Sequence, residues 1–336
     1  MTKDMKRFIK LCKQTQKELK GSLVSWLKGI GYKPIVSDGF ILAMGSLPVC
    51  VTAHLDTVHK DRVKKIEITE NGDTVSSPQG IGGDDRCGVF MIQKIVESGY
   101  KPTILFCEDE EAGGVGSDKF CLSEYSVKLK DMKFFIELDR ANANDLVYYD
   151  DDNKDFHKFC EETTGYEEDW GSFSDISNLC PHCGISGVNI SCGYYNAHKL
   201  TEYVVMSEML ASIEVTKKLL DKANEVEQFK YIEVVYQNNK FGLGYNYGYS
   251  YNSRNKRWSS GLYFVGAYNG KLGDVQEYIE ADSEMEAVGY FLSQYPTLTY
   301  GEIYDCYDMG DYEYYRTAVT NHDSLYNDWK SKVEAM

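Results

Sequence analysis

The chain has 336 residues, of which 43% are hydrophobic and 26% charged, enough apolar material for one large domain or for a large and a small one. Its formal net charge of −16 repels phosphate backbones and anionic lipids, so neither nucleic acid nor a membrane is expected as a partner. The ten cysteines do not indicate a disulfide framework in a chain of this length, and the lysine-rich first segment resembles neither an export signal nor a membrane span. A soluble protein of the cytoplasm is predicted.

The first two thirds of the chain alternate between helical and extended patterns. Apolar residues at helical spacing predict an amphipathic opening helix between Met5 and Ile30, broken near Gly21. Turn residues and compact apolar runs predict the other elements: strands at 40–44, 48–53, 103–107 and 134–138, a hairpin at 65–75, and helices at 85–98 and 200–223. Strands that alternate with helices indicate a layered α/β domain.

The composition changes near residue 225, beyond which the chain is rich in tyrosine. Four alternating tyrosines, from Tyr245 to Tyr251, share one face of a predicted strand. A second strand and a capped helix are predicted at 258–268 and 282–295. These patterns divide the chain into an α/β domain of residues 1–224 and a tyrosine-rich α+β accessory region of residues 225–336.

A histidine and an aspartate two residues apart, His54 and Asp56, end an apolar run. Side chains two apart on a strand point to the same side, so Asp56 can accept a hydrogen bond from the imidazole nitrogen that a metal-binding His54 leaves free. Taken alone, the pair also fits an ordinary histidine at the end of a strand.

Two further motifs supply carboxylates. A glycine-rich turn brings Asp84 and Asp85 to the start of a helix, where a carboxylate between two cations can give one oxygen to each; the alternative is a helix cap. The run Glu108–Glu111 follows a buried strand, and four adjacent acids repel one another unless cations are present. One glutamate can then bind metal while its neighbour acts as a base; the alternative is a solvated acidic loop.

Two more candidates complete the series. Asp139 ends the apolar run that begins at Phe134, and His198 precedes the long helix. In order, the motifs are His54-x-Asp56, Gly83-Asp84-Asp85, Glu110-Glu111, Asp139 and His198. This series, which covers residues 1–224, resembles the clan of co-catalytic zinc exopeptidases, which includes dizinc aminopeptidases and tripeptidases. The resemblance implies a three-layer core, in which helices cover both faces of a mixed sheet.

The resemblance also implies two zinc ions, with Co²⁺ or Mn²⁺ as other divalent metals, and a role for each motif residue. Asp56 would orient His54, and Glu110 would be the general base. The implied metal ligands are His54 and Asp139 for one ion, Glu111 and His198 for the other, and Asp84 as the bridge.

The spacing of the motifs favours the aminopeptidase branch of the clan. Only 58 residues separate Asp139 from His198, too few for the lid or dimerisation insertion of the tripeptidase and carboxypeptidase branch. That insertion is the usual source of an arginine clamp for a substrate carboxylate. The segments 171–176 and 184–188 also resemble the aminopeptidase branch, although Ser186 stands where that branch usually has proline. The predicted substrate is a peptide with a free amino terminus.

Three alternatives remain open from the sequence. The same dizinc site suits N-acyl amino acids or other small amides, because fold and metals do not fix the substrate. A degenerate core could instead present residues 225–336 to a binding partner, although the complete ligand set and Glu110 argue against degeneration. Cys180-Pro-His182-Cys183 has the spacing of half a zinc site and allows a structural zinc or redox role, but no second pair follows, which favours a buried turn.

Overall fold

The computed structural model describes residues 2–234, 261–269, 273–281, 303–308 and part of the segment 287–298. The chain divides into two compact units, Met1–Asn238 and Asn239–Met336. The predicted strand of alternating tyrosines lies outside the described residues, as do parts of the strand and helix predicted at 258–268 and 282–295.

The first unit contains seven helices and twelve strands among its described residues. The helices are α1 (Lys3–Cys12), α2 (Gln16–Gly29), α3 (Gly83–Glu97), α4 (Val115–Cys121), α5 (Lys154–Thr164), α6 (Asp175–Cys183) and α7 (Met206–Asp221). The strands are β1 (Ile35–Val36), β2 (Phe40–Ala43), β3 (Leu47–His54), β4 (Glu67–Ile68), β5 (Thr74–Ser76), β6 (Pro102–Cys107), β7 (Phe134–Arg140), β8 (Asp145–Val147), β9 (Glu167–Glu168), β10 (Gly187–Ser191), β11 (Tyr194–Tyr195) and β12 (Tyr203–Val205). Short 3₁₀ turns occupy Glu110–Ala112 and Ser126–Leu129.

The opening segment forms two helices rather than one, and the break predicted near Gly21 is wrong. Helix α1 ends at Cys12, and α2 begins after Thr15, whose side chain accepts from the backbone of Glu18 while Glu18 accepts from the backbone of Thr15. This capping box satisfies backbone N–H groups that a new helix leaves open. Gly21 lies inside α2, because one glycine costs a helix only about 1 kcal/mol.

An eight-stranded mixed sheet forms the centre of the first unit, in the order β1-β2-β6-β3-β7-β10-β8-β9. Strands β6, β3, β7 and β10 run parallel, whereas β2 pairs with β6 in the antiparallel direction. Successive side chains of the central strands enter different hydrophobic clusters: Val51 and Ile136 face one, Cys50 and Phe135 the other. Residues of α1, α2, α3, α5 and α7 belong to the first cluster, and residues of α6 to the second. This confirms the predicted helix/mixed-sheet/helix core.

A smaller sheet, in the order β11-β12-β5-β4, lies beside the start of α7. The helix predicted at 200–223 begins only at Met206, so its first six residues were predicted wrongly. Residues 203–205 pair instead with residues 74–76 of β5, a pairing that suits the β-branched Val204 and Val205. The hairpin predicted at 65–75 is present as β4 and β5, with Gly72 at positive φ in the turn.

Residues 225–234, which the sequence assigned to the accessory region, pack with the first unit. The Phe229 N–H donates to the Lys133 carbonyl, and the Phe229 carbonyl accepts from the Ser186 N–H, both at 2.9 Å. The two compact units divide further along the chain, at 238/239. Among the residues that the structure describes, no helix combines the length and apolarity that a membrane crossing requires.

The described part of the second unit is an antiparallel sheet of three strands, β13 (Gly261–Asn269), β14 (Gly273–Ala281) and β15 (Ile303–Asp308), with β13 in the middle. Helical residues lie between 287 and 294. They contribute Ala287 and Phe291 to a small hydrophobic cluster with Val265, Ala267 and Ile279 of the sheet.

Candidate metal centre

Three neighbouring parallel strands, β6, β3 and β7, end at the same edge of the main sheet. His54 is the last residue of β3, Asp139 lies near the end of β7, and Glu110 and Glu111 follow β6. The carboxyl edge of a parallel sheet is where α/β proteins usually bind ligands. The fold therefore concentrates the side chains of three sequence motifs at this edge.

Asp84, at the start of α3, lies between the two histidines. His54 Nε2 is 2.9 Å from Asp84 Oδ1 and 3.4 Å from Asp139 Oδ1. His198 Nε2 is 3.3 Å from Asp84 Oδ2 and 3.0 Å from Glu111 Oε2. We call the group of His54, Asp139 and Asp84 Oδ1 the strand half, and the group of His198, Glu111 and Asp84 Oδ2 the loop half. The structure thus brings together all five residues predicted as ligands.

The donor atoms fit a divalent metal. Within the described residues, one ligand atom each of His54, Asp84 and Glu111 lie within 4.8 Å of one another, and the same holds for His54, Asp85 and Asp139. Glu111 Oε1 is buried and has no hydrogen-bond partner among the described residues. Imidazole nitrogens with carboxylate oxygens are a donor set that suits zinc and related ions.

Asp85 is a neighbour of the ligand cluster whose oxygens are already engaged. Asp85 Oδ1 accepts from the Gly88 N–H at 2.7 Å, and Oδ2 accepts from the His54 N–H at 3.2 Å. Both Asp84 oxygens, in contrast, face histidine side chains. Asp84 is therefore the better candidate for a shared ligand, and Asp85 fixes the backbone on which His54 sits.

Asp56 contacts residues of both halves. Its Oδ1 lies 3.1 Å from His54 Nδ1, which leaves His54 Nε2 directed at Asp84 and Asp139. The same carboxylate accepts from the N–H groups of Glu110 and Glu111, each at 3.0 Å. Asp56 therefore orients the imidazole and also anchors the turn that carries Glu110 and Glu111.

The acidic run 108–111 has two kinds of residue. Glu108 forms an ion pair with Lys20 of α2, and Asp109 accepts from Gln16 at 2.9 Å. Helix α2 thus supplies partners for the first two acids of the run, one of them the Lys20 cation. Glu111 faces His198, and Glu110 Oε2 lies 4.0 Å from His54 Nε2, close to the centre but not in contact with it.

The electrostatics of the centre reflect an excess of acids. Burial raises the pKa of Glu110 to about 9, reinforced by Asp139 and Asp175. Burial and the charge of Asp84 raise the pKa of Asp139 to about 7. Hydrogen bonds to Asp84 and Glu111 raise the pKa of His198 to about 11. Each shift favours the protonated form of its group, and the positive charge of a bound divalent cation would act in the opposite direction.

Several residues that support the candidate ligands were not predicted. Ser174 Oγ donates to Asp139 Oδ2 at 2.8 Å, and the Tyr194 hydroxyl donates to the Asp139 carbonyl at 2.9 Å. The buried Arg86 guanidinium donates to the carbonyls of Leu55 and Asp56, at 2.8 and 3.0 Å. These contacts join distant segments, and the sequence gives no local signal for them.

Glu202 is a further unpredicted residue. It has no exposed surface and accepts from the N–H groups of Gly82 and Asp84, at 2.9 and 3.0 Å. Its carboxylate also lies 2.7 Å from His59 Nε2. These partners lie 118, 120 and 143 residues away along the chain, so no local pattern predicts the contacts.

The cysteine pair that resembled half a zinc site lies on α6, near its end. Cys180 is buried against the Gly187 backbone, and Cys183 is partly exposed; both are free thiols. The metal-ligand groups found among the described residues contain no cysteine. The pair therefore forms part of a helix end that Gly184 terminates, rather than the buried turn that the sequence favoured.

No protein-family model and no curated protein matches the chain. Solved structures do match. The aminopeptidase PepT from Bacillus cereus aligns with a TM-score of 0.55 and 14% identity, over 66% of this chain and 98% of its own. A tripeptidase from Staphylococcus aureus aligns with a TM-score of 0.54 and 12% identity. A TET aminopeptidase from a marine sediment Thaumarchaeota archaeon aligns with a TM-score of 0.50 and 12% identity. Each alignment covers 66% of this chain and 98% of the other chain. The chain therefore has the peptidase fold that its resemblance to the zinc exopeptidase clan implied.

Proposed function

We propose that this chain is a metal-dependent peptidase, of the aminopeptidase type, that uses two zinc ions. The observation that carries the proposal is the position of Asp84, which directs one oxygen at each of two histidines. Asp139 completes one group of donors, and Glu111 completes the other. The fold shared with aminopeptidases and a tripeptidase supports the same conclusion.

In this proposal the strand half would hold one ion, the loop half would hold the other, and Asp84 would contribute an oxygen to each. Bound zinc ions would polarise the scissile carbonyl and lower the pKa of water toward neutrality. Asp56 keeps the His54 imidazole in one orientation through its bond to Nδ1. Asp85 and Ser174 hold the His54 backbone and the Asp139 carboxylate in place.

Glu110 is the proposed general base. It lies beside the ligands but makes none of their close contacts, so its carboxylate is free to exchange protons. It takes a proton from the attacking water and passes it to the leaving amine. Glu110 must be ionised to accept that proton, and the positive charge of bound zinc ions would oppose the upward shift that burial gives its pKa.

The proposal is tested by metal analysis together with two classes of reporter substrate. We expect close to two zinc ions per chain, cleavage of aminoacyl reporters with a free α-amine, and loss of cleavage on chelation. Cleavage of N-acylated reporters alone would replace the aminopeptidase assignment by a deacylase. A purified protein that binds no divalent metal would overturn the proposal.

The base is tested by Glu110→Gln, which should keep both ions and lose between about 10²- and 10⁴-fold in turnover. Glu108→Gln is the matched control, because Glu108 belongs to the same acidic run but is paired with Lys20. We expect the control to turn over near the wild-type rate. Wild-type turnover by Glu110→Gln would show that another group takes the proton.

A further inference from the structure

The Glu202 carboxylate is buried and contacts His59 and the turn that carries Gly82 and Asp84. Oε1 accepts from the Asp84 N–H at 3.0 Å, and Oε2 accepts from the Gly82 N–H at 2.9 Å. His59 Nε2 lies 2.7 Å from the same Oε2. A charge without exposed surface is costly unless donors surround it, and these three contacts meet that requirement.

The turn that these contacts hold is the one that carries Asp84. Asp84 has φ −79° and ψ 102°, which is not a helical conformation, although it stands at the start of α3. Its N–H donates to Glu202, so the position of the Asp84 backbone depends on this carboxylate. A shift of the turn would move both Asp84 oxygens away from the two histidines.

The turn also packs tightly against the smaller sheet. A Cβ atom on Gly83 would lie 2.7 Å from Val204 Cγ2, 2.9 Å from Tyr194 Cβ and 3.2 Å from Glu202 Oε1. Tyr194 and Val204 belong to β11 and β12, and the segment between these strands contains both His198 and Glu202. One connection therefore supplies a ligand of the loop half and the anchor of the shared ligand.

Given the proposed dinuclear site, we propose that Glu202 is a positioning residue that holds Asp84 between the two metal ions through the N–H groups of Gly82 and Asp84. By this contact it couples the His198 segment to the strand ends that carry His54 and Asp139. His59 completes the arrangement as the side-chain donor to Glu202.

The test is Glu202→Gln, read out as zinc affinity. A glutamine keeps the shape of the side chain but offers one oxygen and one NH₂ group in place of two acceptors. Whichever way the amide is turned, its NH₂ group faces the N–H of either Gly82 or Asp84. We expect zinc affinity to fall by about 10- to 100-fold, measured by competition with a chromophoric chelator well below the unfolding temperature.

Glu208→Gln is the matched control. Glu208 lies in the first turn of α7 and accepts from the Tyr195 hydroxyl at 2.6 Å, but it does not touch the turn at 82–84. We expect the control to bind zinc with wild-type affinity. A folded Glu202→Gln protein that also binds zinc with wild-type affinity would overturn the inference, even if its unfolding temperature is lower.

Two substitutions at His59 extend the test to the case in which Glu202→Gln does not fold. His59→Gln keeps an N–H donor at similar reach and should preserve zinc affinity, whereas His59→Ala removes the donor and should weaken binding. Equal affinities of these two proteins would overturn the inference. A wild-type protein that takes up no zinc would overturn the proposed function itself, so the two failures are distinguishable.

Discussion

The two halves of the candidate metal centre share Asp84 but differ in how the chain supports them. In the strand half, His54 has no exposed surface and ends β3, and Asp139 lies on the adjacent strand β7. In the loop half, the His198 side chain is 59% exposed, and its backbone has φ +64°. Glu111 lies on a short 3₁₀ turn.

Because of this difference, we expect the two halves to bind their ions with different strength. Side chains on neighbouring strands inside a packed sheet are held by that packing, so the strand half is fixed by the core. The loop half is held by polar contacts of Asp84, Glu111 and the backbone turns around them. We therefore expect the strand half to bind its ion more tightly and the loop half to exchange its ion with solvent.

The largest expected effect is the difference in stability loss between His54→Ala and His198→Ala in the metal-free protein. Removal of the His54 imidazole takes away a buried cationic partner that Asp84 and Asp139 share, and such a loss costs about 3–5 kcal/mol in stability. His198 is exposed, and its loss should cost no more than about 1 kcal/mol. Denaturant unfolding with a chelator present measures both. Equal losses would contradict the distinction between the halves.

The second prediction concerns the order of metal loss. Brief dialysis against a chelator should remove one zinc ion from the wild-type protein before the other, as followed by native mass spectrometry. The His198→Ala protein should resemble this partly stripped protein and bind about one ion. Without the imidazole, Asp84 and Glu111 alone would bind the second ion only weakly. Simultaneous release of both ions would show that the halves act as one unit.

The third prediction is that the halves titrate in different pH ranges without metal. Burial and Asp84 raise the pKa of Asp139 from an ordinary 3.8 to about 7, so the stability linked to its proton is complete below pH 3.8 and is lost as the pH rises through 7. Hydrogen bonds raise the pKa of His198 from 6.5 to about 11, so its contribution is lost between these values. Asp139→Asn should flatten the unfolding temperature in the first range, and His198→Gln in the second. An unchanged pH profile in either variant would show that the titration of that residue does not cause the pH dependence of stability.

The smallest expected effect lies outside both halves. Cys183→Ser changes a partly exposed thiol at the end of α6 and should alter stability by no more than about 0.5 kcal/mol. Zinc stoichiometry should match the wild-type value in elemental analysis. A loss of one ion would instead point to a structural site at Cys180 and Cys183.

The candidate residues that lie at or after the ends of strands could be predicted from the sequence for a general reason. His54, Asp139 and the pair at 110–111 each follow an apolar run, and parallel strands that alternate with helices end at one edge. The glycine-rich turn indicated Asp84 and Asp85 together, whereas the choice of Asp84 as the bridge and of His198 as a ligand came from the ordered resemblance. The fold class followed from the same alternation of strands and helices.

The residues that were missed act across large separations in the chain. Glu202 contacts residues 82 and 84, and Arg86 contacts residues 55 and 56, through geometry that only the assembled fold creates. The late start of α7 has the same origin, since pairing of Tyr203–Val205 with β5 overrides a helical pattern. Local patterns therefore identified the candidate ligands better than the groups that hold them.

The spread of the donor atoms along the chain also bears on biosynthesis. Residues 54, 84, 111, 139 and 198 belong to separate segments, and no single segment supplies a full set of donors. A nascent chain on the ribosome cannot complete both groups until His198 has emerged and β11 and β12 have docked. Acquisition of the metal ions by a newly made chain should thus report that the central sheet has been assembled.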